Sequence, residues 1–334
     1  VAAPAGWING DPLNPDQPPL TPGRAVTYAR RAPREEARMS DPAITDEMLD
    51  HYWKHGYVVA RGLFDGPSLQ RWLDRLQDIV DGRVPPAEKM LVMKDVMVAR
   101  GAVVPGTKLE AIAKIQDYEN DPVLWSYVTD ERILDCLERF IGRDVFAIHT
   151  MLINKPPNVD GRHPLHQDLL YFPFRPADKI VATWTALEPV TRENGCLVVV
   201  PGSHEGELLP HENPDWEHLN AAYFGAKGFD AETERVHLEM EPGDTVFFHP
   251  ILLHGSGRNT TRGFRRAISA HYGHLDCTWN WLGDGVLNRP YTIVNGDRAG
   301  QKWQGAKADD ANVNPLDYIP VQQAMDAAAH RRDD

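Results

Sequence analysis

The chain has 334 residues, of which 42% are apolar and 25% charged, so a large core is affordable and global disorder is excluded. Acidic residues outnumber basic ones 48 to 35, for a formal charge of −13, and no dense Lys/Arg stripe occurs, which argues against a nucleic-acid partner. Three cysteines without a CxxC pair argue against a disulfide framework and against a zinc ribbon, and no apolar run is long enough for a membrane span.

Residues 1–38 are proline-rich and read as an irregular extension. Thr45-Asp46-Glu47 is an N-cap followed by first-turn acids, and Met48, Leu49, Tyr52 and Trp53 recur at helical spacing until Gly56. Tyr57–Ala60 reads as a short strand. Further helices fit Ser68–Val80, Pro122–Tyr127 and Asp130–Ile141, the last with Ile133, Leu134, Leu137 and Phe140 facing inward. After Gly142 the pattern becomes short β-type runs at Val145–Asn154, Lys179–Glu188, Leu197–Val200, Val236–Met240, Thr245–His249 and Ala267–Gly273. Asn194-Gly195, Pro201-Gly202 and Pro242-Gly243 supply turns between them. Helices followed by many short strands predict an α+β chain with a sandwich or jelly-roll second part. Beyond Leu275 the chain reads as loop with a short helix near Gln322–Ala329. The expected organisation is therefore an extension (1–38), one catalytic domain (39–275) and a loop-rich continuation of that domain (276–334).

Chemistry concentrates in two stretches. In Arg162-His163-Pro164-Leu165-His166-Gln167-Asp168, an extended backbone sends His166 and Asp168 from one face, an imidazole beside a carboxylate. The second stretch runs Phe247-Phe248-His249-Pro250-Ile251-Leu252-Leu253-His254-Gly255-Ser256-Gly257. His249 and His254 compete as a third ligand, and the Gly-Ser-Gly turn and the position of Arg265 favour His254. Two histidines and one aspartate form a facial triad that leaves half of a metal's coordination sphere open. Arg265 follows on the next strand, and its guanidinium suits the far carboxylate of a dicarboxylate that chelates metal at its other end. Arg266 alternates to the opposite face.

The chain resembles the phytanoyl-CoA dioxygenase family over roughly residues 45–275. The resemblance rests on Lys114-Ile115-Gln116-Asp117, His149 to Pro157, His163 to Arg175, Asn194 to Val199 with Pro201-Gly202-Ser203-His204, and Gly243 to Ser269. It implies a double-stranded β-helix (jelly-roll) core with flanking N-terminal helices. It implies Fe(II) on His166, Asp168 and His254, and 2-oxoglutarate anchored by Arg265. Ser256 and Lys114 would contact the co-substrate, and Met151, Gln167 and Trp184 would line its pocket. With O2 as oxidant, and ascorbate as a stimulant, the implied reaction is 2-hydroxylation of a branched-chain acyl-CoA, releasing succinate and CO2. Asp168 occupies the position that related halogenating enzymes leave small, so hydroxylation is the expected outcome.

Lys155, Arg162, Arg175 and Lys179 flank the metal motif and are candidates for CoA phosphates. No secretory or peroxisomal signal is visible, so a bacterial-type cytoplasmic enzyme is expected. Competing readings are the same chemistry on another small molecule, a non-catalytic metal-binding jelly roll, and a zinc hydrolase. Arg265 separates metal storage from 2-oxoglutarate chemistry, because storage has no use for it.

Overall fold

The computed structural model describes residues 43–157, 159–218, 220, 223–230, 232–279, 290–303 and 306–307. The extension 1–38 and the helix expected near Gln322–Ala329 lie outside the described residues.

Helix α1 (Asp46–His55) starts where the Thr45 side chain accepts from the Met48 amide, a cap worth about 1 kcal/mol. It ends at Gly56, whose left-handed backbone (φ +83°) no side chain would share, because a Cβ there would meet the His204 ring at 2.7 Å. Tyr52 is buried, whereas Trp53, expected inward, is 40% exposed, one position off the apolar stripe. Strand β1 (Tyr57–Ala60) follows. Helix α2 (Gly66–Asp81) begins before the expected Ser68, because Asp65 caps it and Pro67 suits its first turn.

Strand β2 (Leu91–Lys94), a one-turn helix α3 (Val96–Ala99) and strand β3 (Ile112–Gln116) occupy a stretch with no sequence-level assignment. Helices α4 (Pro122–Val128) and α5 (Glu131–Phe140) match expectation. The strands then run β4 (Val145–Lys155), β5 (His163–His166), β6 (Phe174–Arg175), β7 (Ile180–Ala186), β8 (Leu197–Val199), β9 (His211–Glu212) and β10 (Gly225–Ala226). They continue as β11 (Val236–Leu238), β12 (Thr245–Phe248), β13 (His254–Ser256) and β14 (Arg265–His274).

Two antiparallel sheets face each other as a jelly roll. The larger has the order β1-β12-β7-β14-β4-β3-β2, the smaller β11-β8-β13-β5. Every strand of the larger sheet presents two faces of alternating residues. Leu152, Ile268, Ala270 and Tyr272 look outward and pack with Trp72, Leu76, Ile133 and Leu137 of the helices. Polar residues of that face also pair: Tyr127 Oη lies 2.9 and 3.0 Å from the hydroxyls of Thr183 and Thr185. The opposite face packs Trp184, Val246, Phe248 and Ala267 against Leu197, Val199 and Leu238 of the smaller sheet. Fully burying one such side chain contributes about 1.5–3 kcal/mol, which fixes the register of the two sheets.

Part of the continuation beyond 275 builds a third apolar cluster against β4 and β6. Tyr291, Ile293 and Trp303 pack with Phe146 and Phe174. Among the described residues no helix is long and apolar enough to cross a membrane.

Candidate metal centre

Two neighbouring strands of the smaller sheet, β5 and β13, meet in register at the metal motif. His166 closes β5 and is the direct cross-strand partner of His254, which opens β13, with ring centroids 4.2 Å apart. Gln167 keeps the chain extended for one residue, and Asp168 then begins a 3-10 turn, so the alternation that puts His166 and Asp168 on one side survives the strand's end. One ligand atom from each of His166, Asp168 and His254 lies within 4.8 Å of the others, and all three residues are buried.

The hydrogen bonds of the imidazoles decide which nitrogen faces inward. His166 Nδ1 is 2.9 Å from the Pro164 carbonyl, and His254 Nδ1 is 2.9 Å from the Leu252 carbonyl. A carbonyl only accepts, so each Nδ1 carries a proton, and Nε2 is the nitrogen left facing the interior to bind a metal. Those Nε2 atoms lie 3.2 and 3.6 Å from the Asp168 carboxylate oxygens. Burial pushes His254 down to about 4, which keeps it neutral and competent as a ligand. Burial opposes ionisation of Asp168, but the imidazoles of His254, His271 and His166 outweigh it and hold its carboxyl well below the usual range. With each Nδ1 committed to a carbonyl, the two Nε2 atoms and the carboxylate are left to share a cation, and a donor set of two imidazoles and one carboxylate suits non-haem Fe(II).

The larger sheet supplies a second group of side chains to the same interior. Cross-strand partners share a face. Met151 on β4, Ser269 on β14 and Trp184 on β7 form one row, and Lys155 opposite Arg265 forms another at the strand ends. Lys114 on β3 sits opposite Ile153, so it looks the same way. Its Nζ lies 5.4 Å from the centre of the Tyr223 ring, and burial pushes it down to about 8.

Arg265 is 2% exposed, stands 5.3 Å from the Trp184 ring centre, and has Nε and Nη1 buried without a hydrogen-bond partner. Burial lowers it only to about 10, so it stays cationic. A buried guanidinium with unused donors calls for an anion. Ser256, on β13, places its hydroxyl 2.9 Å from Lys155 Nζ. The residues present therefore fit both a ferrous ion and a dicarboxylate.

Several expectations need correction. Gln167 does not turn its side chain toward the triad. Its Nε2 donates to the Glu207 and Ile251 carbonyls and its Oε1 accepts from the Leu209 amide, because alternation sends it to the other side from His166 and Asp168. Lys155 is no phosphate-binding surface lysine, being 4% exposed. Arg162 grips Asp160 by two bonds of 2.6 Å under the Trp216 ring, Arg175 donates to the Phe172 and Phe174 carbonyls, and Lys179 lies 3.8 Å from Asp276. His249 stays out of the centre, as expected, with Nε2 3.1 Å from Asp178.

Two contributors carried no sequence signal of their own. His271 Nε2 is 2.8 Å from Asp168 Oδ2, and Tyr223 stacks on His163, which in turn stacks on His166, each pair at 3.9 Å. His271 shares strand parity with Arg265, the one feature that could have flagged it.

Residues 52–267 match the family described as phytanoyl-CoA dioxygenase (PhyH). A protein named probable phytanoyl-CoA dioxygenase from Caenorhabditis elegans is 52% identical over 240 residues, 70% of this chain and 76% of that one. The peroxisomal phytanoyl-CoA dioxygenase of Homo sapiens is 45% identical over 243 residues, 72% of this chain and 71% of that one. The crystal structure of the epimerase SnoN in complex with Fe3+, alpha ketoglutarate and nogalamycin RO superposes with a TM-score of 0.58 at 21% identity, covering 80% of this chain and 97% of that one, which shows a shared fold.

Proposed function

Because the chain belongs to the phytanoyl-CoA dioxygenase family, we infer that it is an Fe(II)- and 2-oxoglutarate-dependent hydroxylase acting at carbon 2 of a branched-chain acyl-CoA. The observation that carries this reading is the pairing, in one buried interior, of a two-histidine, one-carboxylate cluster with an unpartnered guanidinium. A zinc hydrolase or a metal store would have no use for Arg265.

His166, Asp168 and His254 would hold the ferrous ion, and Arg265 with Ser256 the far carboxylate of 2-oxoglutarate. Iron, 2-oxoglutarate and O2 together supply the oxidising power for an unactivated C–H bond, with succinate and CO2 as co-products. The chain's own share is positioning and exclusion of water. Pro164 and Leu252 fix the ring tautomers, and His271 steadies Asp168. Trp184, Phe248 and Ala267 keep the interior apolar. Lys114 and Met151 complete the lining on the large-sheet side, while Gln167 supports the segments behind the metal motif.

Arg258, outside the flanking set, shares the Asp160 carboxylate with Arg162, and the surplus positive charge beside the metal motif supports an anionic acyl-CoA substrate. The three cysteines are free and buried, which supports a reducing compartment, and we propose the cytoplasm. Residues 39–275 with their continuation form one catalytic domain on this reading. The test is succinate formation with Fe(II), ascorbate and 2-oxoglutarate across straight-chain and 3-methyl acyl-CoAs, free acids and small zwitterions. Turnover confined to branched acyl-CoAs supports the reading, and turnover confined to another class replaces the substrate.

A further inference from the structure

The last residue of β4 and the first of β14 are direct cross-strand partners, and both are cations. Lys155 is 4% exposed and Arg265 2%. Among the described residues no carboxylate pairs with either. Two like charges side by side in the interior are costly unless a negative charge joins them. Burial and the Arg265 guanidinium both push the Lys155 ammonium well below the ordinary lysine range, and an anion between the two would oppose both effects.

The lysine is held rather than adrift. Its Nζ donates to Ser256 Oγ at 2.9 Å and to the Gly257 carbonyl at 2.6 Å. Gly195 closes over it, since a Cβ there would sit 2.6 Å from the Gly257 oxygen and 3.1 Å from Lys155 Nζ. Asn259 Nδ2 donates to the Lys155 carbonyl and so holds the backbone as well.

These bonds have a direction. An ammonium only donates, so Ser256 Oγ is the acceptor, and the hydroxyl proton must point elsewhere. With Arg265 beside it, that proton is available to a carboxylate in the same place.

We propose that Lys155 is a positioning residue for the co-substrate: through Ser256, and by its charge beside Arg265, it makes the site select a 2-oxo acid that carries a distal carboxylate. This rests on the 2-oxoglutarate reading above and deepens it. Lys155 acts on the distal end of the acid and leaves the metal-chelating end alone.

The test compares 2-oxoglutarate with 2-oxovalerate, which keeps the chelating end and the five-carbon chain but lacks the distal carboxylate. Calorimetric titration of each acid into the full-length Zn(II)-loaded protein gives a binding ratio that does not depend on turnover. Wild type favours 2-oxoglutarate strongly. Lys155→Met lowers that preference at least about tenfold, the scale of one lost charge-assisted contact, with 2-oxovalerate affinity unchanged. Ser256→Ala does the same, and the double variant is no worse than the weaker single one, since the two residues act through one contact. In turnover, the KM for 2-oxoglutarate rises in Lys155→Met while kcat at saturation is kept. Should Lys155→Met not fold, Lys155→Arg retains the preference and Lys155→Gln loses it. A Lys155→Met or Lys155→Gln protein that keeps the wild-type preference overturns the inference alone. A wild type that binds neither acid overturns the co-substrate reading and the inference with it.

Discussion

His271 Nε2 lies 2.8 Å from Oδ2 of Asp168, while Oδ1 of the same carboxylate lies 3.2 Å from His166 Nε2. The aspartate is thus gripped from β14 as it faces the histidine of β5. A carboxylate ligand with one oxygen fixed by a donor loses little freedom when metal arrives. His271→Ala should therefore weaken Fe(II) or Co(II) affinity by about 10–100-fold. The check is metal titration by calorimetry, with His271→Asn, which can still donate, expected to fall in between.

Arg265 presents the opposite balance between function and stability. Its Nε and Nη1 are buried without partners, so the guanidinium costs stability until an anion arrives. Arg265→Met should raise the KM for 2-oxoglutarate at least about tenfold. Metal-free Arg265→Met should also be as stable as wild type, or more stable by about 1–2 kcal/mol, in urea denaturation. A strongly destabilised variant would mean that the charge is satisfied within the chain.

The two histidines of the second motif should separate cleanly. His254→Ala removes an inward-facing Nε2 and should abolish tight metal binding. His249 is tied to Asp178 at 3.1 Å and accepts from the Ile251 amide. His249→Ala should keep metal affinity within about threefold and cost about 1 kcal/mol of stability through the lost hydrogen bonds. Metal titration and denaturation on the same samples check both.

Gln167 separates lining from support. Its side chain binds the backbone at Glu207, Leu209 and Ile251. Gln167→Ala should lose about 1–3 kcal/mol of stability, because buried backbone groups are left unpaired. The KM for 2-oxoglutarate should stay near wild type. A selective rise in that KM without loss of stability would put the side chain back in the pocket.

The helices and long strands were legible because caps and periodicity agree, as at Thr45, Gly56 and the apolar stripe of α5. The triad and Arg265 were legible because their residue types fit one chemistry and their order matches a known family. What was missed has physical causes. Strand β3, which carries Lys114, is five residues long and does not alternate cleanly. Lys155 reads as solvated because lysine is nearly always so, and only its pairing opposite Arg265 shows otherwise. His271 carries no signal until Asp168 is brought to it from a distant segment. Tyr223 lies in a stretch without periodicity, so its stacking on His163 is a tertiary fact alone. The error at Gln167 was avoidable, since the alternation that puts His166 and Asp168 together also sends the residue between them away.

The most direct test of the central claim is the visible charge-transfer absorption that forms when a 2-oxo acid chelates a ferrous ion, recorded under anaerobic conditions. The account predicts that wild type develops this band on adding Fe(II) and 2-oxoglutarate, and that His254→Ala and Asp168→Ala do not. A wild type without the band, or a His254→Ala protein that develops it in full, would contradict a centre built on His166, Asp168 and His254.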